Sequence, residues 1–275
     1  MNGAVTERAG AKVTLSLRVL GRRPDGYHEL RAFVAIVDEP HDELSILEGH
    51  HDSELVIEPE GVAPAGEDNL VWQARAALGS TAGLRLRKQI PTEAGLGGGS
   101  ADAAAALRLL RTTQSDAELH EIAASLGADV PVCFGGEVVH MTGVGDGIHR
   151  SAPAGEALFL VLATPTFGCN TAEVYRAWDA LGGPHAYEFV EPPPAWAQVG
   201  GASWQNDLAP AAIAVEPRLV DFRNAFGELA RTLPTLCGSG STYYALAPDR
   251  AGAEQLAHEV RAELETRCVA IATVS

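Results

Sequence analysis

The stretch Pro91-Thr92-Glu93-Ala94-Gly95-Leu96-Gly97-Gly98-Gly99-Ser100, running into the alanine- and leucine-rich segment Ala101–Arg111, decides how this chain is read. Four of the five residues from Gly95 to Gly99 are glycine, which reaches φ > 0 freely and lets a ligand come close to the backbone. The run that follows has strong helix propensity. A helix leaves its first amides unpaired and carries a positive dipole end there. Loop and helix together therefore make a phosphate site, with the Ser100 hydroxyl at its mouth. No Gly-Lys-Ser/Thr follows, so this is not a Walker A loop. A lysine-bearing strand and Pro91 precede it, and it comes late in the chain, so it fits a Rossmann fingerprint poorly. The bland alternative is a flexible loop ahead of a core helix.

Upstream, Val13, Leu15, Leu17 and Val19 alternate with Thr14, Ser16 and Arg18, the period of a half-buried strand. Lys12 and Thr14 share its polar face. Pro24-Asp25-Gly26 is a turn, and Asp25-Gly26-Tyr27-His28 sets an aromatic beside an imidazole, a pair able to stack on and hydrogen-bond a planar ring. A hairpin turn with a half-buried tyrosine is the plainer reading. Leu30–Val37, Glu43–Leu47, Glu54–Glu58 and Leu84–Lys88 are predicted strands, and Asn69–Leu78 a helix. Glu67-Asp68-Asn69-Leu70 is a candidate nucleotide border.

Downstream, Ser115-Asp116-Ala117-Glu118 is a capping box opening a helix that closes near Gly127. Asp129, in Gly127-Ala128-Asp129-Val130-Pro131, is expected in an extended turn. There it serves as a base or charge anchor, or as an N-cap or solvated turn aspartate. Glu137–Met141 is a strand, followed by a tight Gly143-Val144-Gly145 turn. The loop 151–156 is a candidate domain boundary. Beyond it, strands are expected at Leu158–Leu162, Thr242–Leu246 and Cys268–Thr273. Helices are expected after the Asn170-x-x-Glu173 cap, at Arg218–Ala230 and at Ala253–Glu265. Gly182–Gly201 reads as an irregular loop, Asn206-Asp207 as a cap, and Cys237-Gly238-Ser239-Gly240-Ser241 as a second small-residue loop. The alternation predicts an α+β architecture.

Composition narrows the function classes. The 275 residues are 46% hydrophobic, enough for a substantial core in one or two domains. A net charge of −16 disfavours nucleic acid and anionic membrane surfaces, so a bound nucleotide would be held locally by amides and a few placed cations. Of the 20 basic residues only Lys12 and Lys88 are lysines, which singles out both as compact point charges. Cys133, Cys169, Cys237 and Cys268 lack metal or disulfide spacing, the start has no apolar leader segment, and no stretch is long enough to span a bilayer. A cytoplasmic protein without structural zinc is expected.

Taken in order, Ala11-Lys12-Val13, Asp25-Gly26-Tyr27-His28, the segment Pro91–Ala106, Gly127-Ala128-Asp129-Val130-Pro131, Asn206-Asp207 and Gly238-Ser239-Gly240 resemble the bacterial 4-diphosphocytidyl-2-C-methyl-D-erythritol kinases, along nearly the whole chain. These belong to the galactokinase, homoserine kinase, mevalonate kinase and phosphomevalonate kinase superfamily. The glycine loop alone signals the superfamily, and Asp-Gly-Tyr-His with Gly-Ala-Asp-Val-Pro points to the narrower family.

The resemblance implies an α+β small-molecule kinase of two domains, 1–152 ribosomal-S5-like and 153–275 ferredoxin-like, with the site in the cleft between them. It implies transfer of the γ-phosphoryl of ATP, with Mg2+, to the 2-hydroxyl of CDP-methylerythritol. Lys12 and Asp129 match the catalytic pair, and Gly95, Leu96, Gly97, Gly98, Gly99 and Ser100 the triphosphate loop. Tyr27, His28 and Tyr175 match the cytidine site, Val144 lines the substrate pocket, and Gly238, Ser239 and Gly240 match the third motif. The family usually carries Asn where this chain has Thr14, which should point into the same site. Metal ligands are not assigned, and the expected state is a monomer or weak homodimer. The alternatives are a superfamily kinase acting on another small alcohol, against which Tyr27-His28 argues, and a nucleotide-binding paralogue without turnover, of which Thr14 would be the first sign.

Overall fold

The computed structural model describes residues 5–47, 54–136, 138–150, 157–183 and 204–274. Two sheets organise it. The first has six strands, β1 (Thr6–Arg22), β2 (His28–Ile46), β3 (Leu55–Glu58), β4 (Leu84–Arg87), β5 (Val139–Thr142) and β6 (Gly147–Arg150), in the order β3-β4-β2-β5-β6 with β1 also paired to β2. All pairs are antiparallel except β3 with β4. Its helices are α1 (Leu70–Ala77), α2 (Gly98–Leu110), α3 (Asp116–Leu126) and α4 (Val130–Gly135). The second sheet orders β10 (Thr266–Val274), β7 (Leu158–Pro165), β9 (Tyr243–Ala247) and β8 (Thr235–Leu236). With it come α5 (Thr171–Ala180), α6 (Ala209–Val215), α7 (Leu219–Ala230) and α8 (Arg250–Glu263).

Local signals account for many of the boundaries. Asn69 caps α1 by accepting from the Val71 amide at 2.8 Å. Ser115 and Glu118 form both halves of the capping box of α3, and Asn170 caps α5. α2 is buried on all sides, with Ala103 to Leu107 fully inaccessible, so it is the central helix of its half. It begins at Gly98, three residues before the alanine run. Gly98 and Gly99 are poor helix formers, and tertiary packing against Ile90 and Lys88 holds Gly98 in the first turn.

Three expectations need correction. The segment read as two strands, Leu30–Val37 and Glu43–Leu47, is the single long β2. Its register against β1 jumps between Gly10↔His41 and Lys12↔Ile36. Pro40 sits in that irregularity, where its missing amide breaks no ladder bond. Asp129 is not extended: φ −84° and ψ −18° place it as N-cap of α4, with Pro131 in the first helical turn, where no amide is required. The predicted Glu137–Met141 strand is β5, which starts only at Val139 and pairs with an unanticipated β6 across the Gly143-Val144-Gly145 turn. The loop 151–156, and all but Gly182 and Gly183 of the predicted Gly182–Gly201 loop, lie outside the described residues.

Two hydrophobic clusters fill the interior, and each draws on both halves of the chain. Ala9, Ala11, Val13 and Leu15 pack with Leu160, Leu162 and Ala272. Past a register shift between Thr14 and Ser16, Leu17 and Val19 enter the second cluster with Val161, Trp178 and Leu208. Polar ties follow the same seam. The Leu17 amide donates to Gln205 at 2.8 Å, the Asp207 amide to Leu17 at 3.0 Å, and the Tyr244 hydroxyl to the Leu15 carbonyl at 2.6 Å.

Asn206 is the buried polar pivot of this seam. Its Nδ2 donates to the carbonyls of Leu236 at 2.8 Å and Gly238 at 2.6 Å, while its Oδ1 accepts from the Leu208 amide at 2.9 Å. Asn206→Ala leaves those groups unpaired in the interior. We expect a loss of about 1–3 kcal/mol of unfolding free energy, read as a lower urea midpoint at unchanged m-value.

Candidate active site

The glycine loop is held by its apolar residues and its backbone. Ala94 and Leu96 are buried. The Thr242 amide donates to the Ala94 carbonyl at 3.1 Å and the Lys12 amide to the Leu96 carbonyl at 2.8 Å. Gly95, at φ 73°, lies so close to the 237–240 loop that a Cβ would collide with the Cys237 carbonyl and stand 2.9 Å from the Gly240 nitrogen. Gly97, at φ 64°, is the left-handed N-cap of α2, with the Lys12 Cβ 3.1 Å from where its own Cβ would be. A side chain at either position is excluded twice, by conformation and by space.

Lys12 Nζ stands 2.6 Å from Asp129 Oδ2. The lysine comes from β1 and the aspartate from the start of α4, so the ion pair spans the sheet and the helix layer. The Lys12 side chain is 11% exposed and that of Asp129 35%, which leaves the carboxylate facing the cleft. Thr14, buried on the same face of β1, lines that cleft with Lys12.

The cleft has a volume of about 560 Å³ and brings together nearly all the residues singled out from the sequence. Gly95 to Ser100, Lys12, Thr14, Asp129, Val144, Tyr175, Gly238 and Ser239 lie on its wall, as does Leu70. Gly240 sits behind the wall, against Leu236 and Cys169. Tyr27 and His28 line an adjoining hollow of about 410 Å³, which shares Leu30, Val144 and Tyr175 with the main cleft. Tyr27 is two-thirds exposed, and His28 packs on Tyr175 with ring centroids 4.7 Å apart and 30° between planes. Burial, with a contribution from Asp129, pushes the Tyr175 hydroxyl up to about 12, so it stays protonated.

Sequence reasoning did not place Lys88, although the scarcity of lysine marked it. Its ammonium is buried beneath the loop, 3.3 Å from where a Gly98 Cβ would stand. It pairs with Asp42 and, at 2.6 Å, with Asp102. Asp42 Oδ1 also accepts from the Ile90 amide at 2.8 Å. Burial pulls the Lys88 pKa down, but the Asp102 and Asp42 carboxylates overcome it and hold it above the ordinary lysine value. Asp102 has one oxygen, Oδ1, without a partner. Burial, opposed by Lys88 and reinforced by Asp42, pushes its carboxyl up to about 8.

Among the described residues no three His, Cys, Asp or Glu side chains gather as a metal site. The cleft wall nevertheless carries the Asp129 carboxylate and the Ser100 hydroxyl, while the Glu93 carboxylate lies against Gly168. That is a fitting donor set for Mg2+ brought in on nucleotide phosphates, since this ion takes one or two protein oxygens and keeps water and phosphate for the rest.

The raised Asp102 has a signed consequence. Between the ordinary carboxylate range and about pH 8 the unfolded chain gives up this proton while the folded chain keeps it. Unfolding is therefore increasingly favoured as pH rises across that window. Asp102→Asn removes the group. Its urea stability relative to the parent is expected to improve steadily from pH 5 to 8 and to level off above; a constant difference across that range contradicts this assignment.

Comparison with known proteins gives the same picture. Residues 69–137 match the GHMP kinases N terminal domain. A 4-diphosphocytidyl-2-C-methyl-D-erythritol kinase of Rhodopseudomonas palustris is 39% identical over 279 residues, covering 91% of each chain. One from Pelotomaculum thermopropionicum is 38% identical and covers 94% of each. A crystal structure of 4-(cytidine 5'-diphospho)-2C-methyl-D-erythritol kinase superposes with a TM-score of 0.79 at 30% identity, over 98% of each chain. A homoserine kinase from Cytophaga hutchinsonii, at 18% identity and a TM-score of 0.67, shares the fold. Similarity of this extent along both halves shows that the chain belongs to the 4-diphosphocytidyl-2-C-methyl-D-erythritol kinase family, an ATP-dependent branch of the GHMP kinases.

Proposed function

We propose that this protein transfers the γ-phosphoryl group of ATP to the 2-hydroxyl of 4-CDP-2-C-methyl-D-erythritol, a step of the non-mevalonate route to isoprenoids. The observation that carries this reading is the Lys12–Asp129 pair, 2.6 Å apart and beside the glycine loop. The acceptor is a tertiary alcohol, hindered and weakly acidic. Asp129 accepts its proton as the oxygen attacks the γ-phosphorus and the bond to the β–γ bridging oxygen breaks, releasing ADP. Lys12 keeps the carboxylate oriented and offsets charge on the transferring group.

The loop amides and the α2 dipole cradle the polyphosphate, because phosphoryl transfer depends chiefly on positioning and charge neutralisation. Mg2+ would be held by the phosphates with Ser100 or Asp129, and would supply further neutralisation there. Tyr27, His28 and Tyr175 take the cytosine ring, with Val144 between that hollow and the main cleft. Thr14 contacts the polyol in place of the amide usual in the family. Gly238 and Ser239 form the floor near the phosphates, with Gly240 behind them.

The same reading assigns 1–152 to a nucleotide-binding and catalytic domain and 153–275 to a domain that completes the cleft. No described helix is long and apolar enough to cross a membrane. A cytoplasmic enzyme without nucleic-acid or membrane partners, monomeric or weakly dimeric, completes the proposal and is in keeping with the −16 charge. The aromatic hollow of about 410 Å³ favours a base-bearing acceptor over homoserine or a free sugar, which have no ring to stack.

A coupled assay with Mg-ATP should show turnover of the cytidylyl substrate and none of homoserine. Asp129→Ala and Lys12→Ala should each lower kcat by about 10²-fold or more, while calorimetry still detects ATP binding. Unimpaired turnover by Asp129→Ala removes the role given to it.

A further inference from the structure

We propose that Asp179 is a positioning residue for base recognition: its carboxylate holds the His28 ring in one tautomer and turns Nδ1, as a hydrogen-bond acceptor, toward the hollow that Tyr27 and Tyr175 line. This deepens the reading given above and rests on His28 facing the cytosine. The carboxylate oxygen Oδ1 of Asp179 is 2.7 Å from His28 Nε2. A carboxylate of this kind accepts only, so Nε2 carries the hydrogen. The other ring nitrogen of a neutral imidazole is then an acceptor. Nδ1 makes no hydrogen bond among the described residues, although the His28 side chain is only 10% exposed. It is a polar atom left for a ligand.

The ring cannot easily turn away. Tyr175 covers one face at 4.7 Å, and Trp178 meets it edge-on at 5.4 Å and 88°. The second oxygen of Asp179 faces an Arg22 guanidinium nitrogen at 3.6 Å, a loose ion pair at the surface. Asp179 also sits in the last turn of α5, where the helix dipole disfavours a negative charge. An acid placed there and paired with both Arg22 and His28 is explained by what it holds, not by helix stability. The ligand this chemistry recognises is a flat ring that presents a donor, such as an exocyclic amine, to Nδ1 while stacking on the aromatic rings.

The test combines kinetics with ¹⁵N NMR of the His28 imidazole in the substrate-free protein. In the parent and in Asp179→Asn, whose amide oxygen still accepts from Nε2, the spectrum should show a single Nε2–H tautomer. In Asp179→Ala it should show a mixture. KM for the cytidylyl substrate should rise about tenfold in Asp179→Ala, the loss of roughly one hydrogen bond's worth of orientation. The Asn variant should recover most of that, with kcat and the KM for ATP nearly unchanged in both. On a His28→Ala background, Asp179→Ala should add nothing further. An unchanged tautomer and KM in folded Asp179→Ala overturn the inference. If His28→Ala leaves KM unaltered, the cytosine placement fails and the recognition role falls with it. A tautomer shift in Asp179→Ala together with a KM that responds to His28 alone would overturn the inference and leave the cytosine placement standing.

Discussion

The structure depends on a segment of backbone that has no room for a side chain at Gly95 or Gly97 and buries those of Ala94 and Leu96. From Ala94 to Gly98 the chain runs between Lys12 on one side, Lys88 and Ile90 beneath, and the Cys237–Gly240 loop behind. Its carbonyls are tied to both halves of the molecule, Leu96 to Lys12 and Ala94 to Thr242. Its amides are left at the open end of a helix that is buried from Ala101 to Leu107. As the phosphate site of the proposed function, it has its donors fixed before the ligand arrives, so little is lost in ordering them on binding. The same crowding is why glycine occupies Gly95 and Gly97: each combines positive φ with a neighbour where Cβ would be.

Two cations serve that segment in different ways. Lys12 lies along the cleft and meets a carboxylate that remains open to it. Lys88 lies below, at the edge of the cleft and almost wholly buried, with its charge taken up by Asp42 and Asp102. Taking three ionisable groups out of water is costly unless they satisfy one another. Asp102 resolves the surplus of negative charge by holding its proton well above the usual carboxylate range. A protein of net charge −16 thus binds a polyanion by arranging charge within a few ångströms, not through its overall field.

The cleft is also a product of how the halves are joined. Hydrophobic clusters that mix residues from both sheets, with Asn206 pinning the Gly238 carbonyl, set the Cys237–Ser241 loop against the Gly95–Gly99 loop. Along the far wall, α5 delivers Tyr175 to the cleft and Asp179 to His28 from one helix face, since four residues make about one turn. One helix therefore joins the main cleft to the aromatic hollow.

Much of this was legible in the residues themselves, because it rests on neighbours in sequence. The capping box of Ser115 and Glu118, the Asn69 and Asn170 caps, the glycine loop ahead of an alanine helix, and the shared strand face of Lys12 and Thr14 are set by spacings of a few residues. The resemblance to a known family, carried by such short motifs, supplied the expected roles. What pairs across the chain was not legible. Asp129 reaches Lys12 only because α4 starts where a proline hinted at extended chain. Lys88 finds Asp42 only because β2 continues past Pro40 as one strand. His28 meets Asp179 only when α5 docks beside the hairpin. Local hydrogen bonds and side-chain periodicity are encoded residue by residue, whereas contacts between distant elements are set by how buried faces pack, and that packing is a property of the whole molecule.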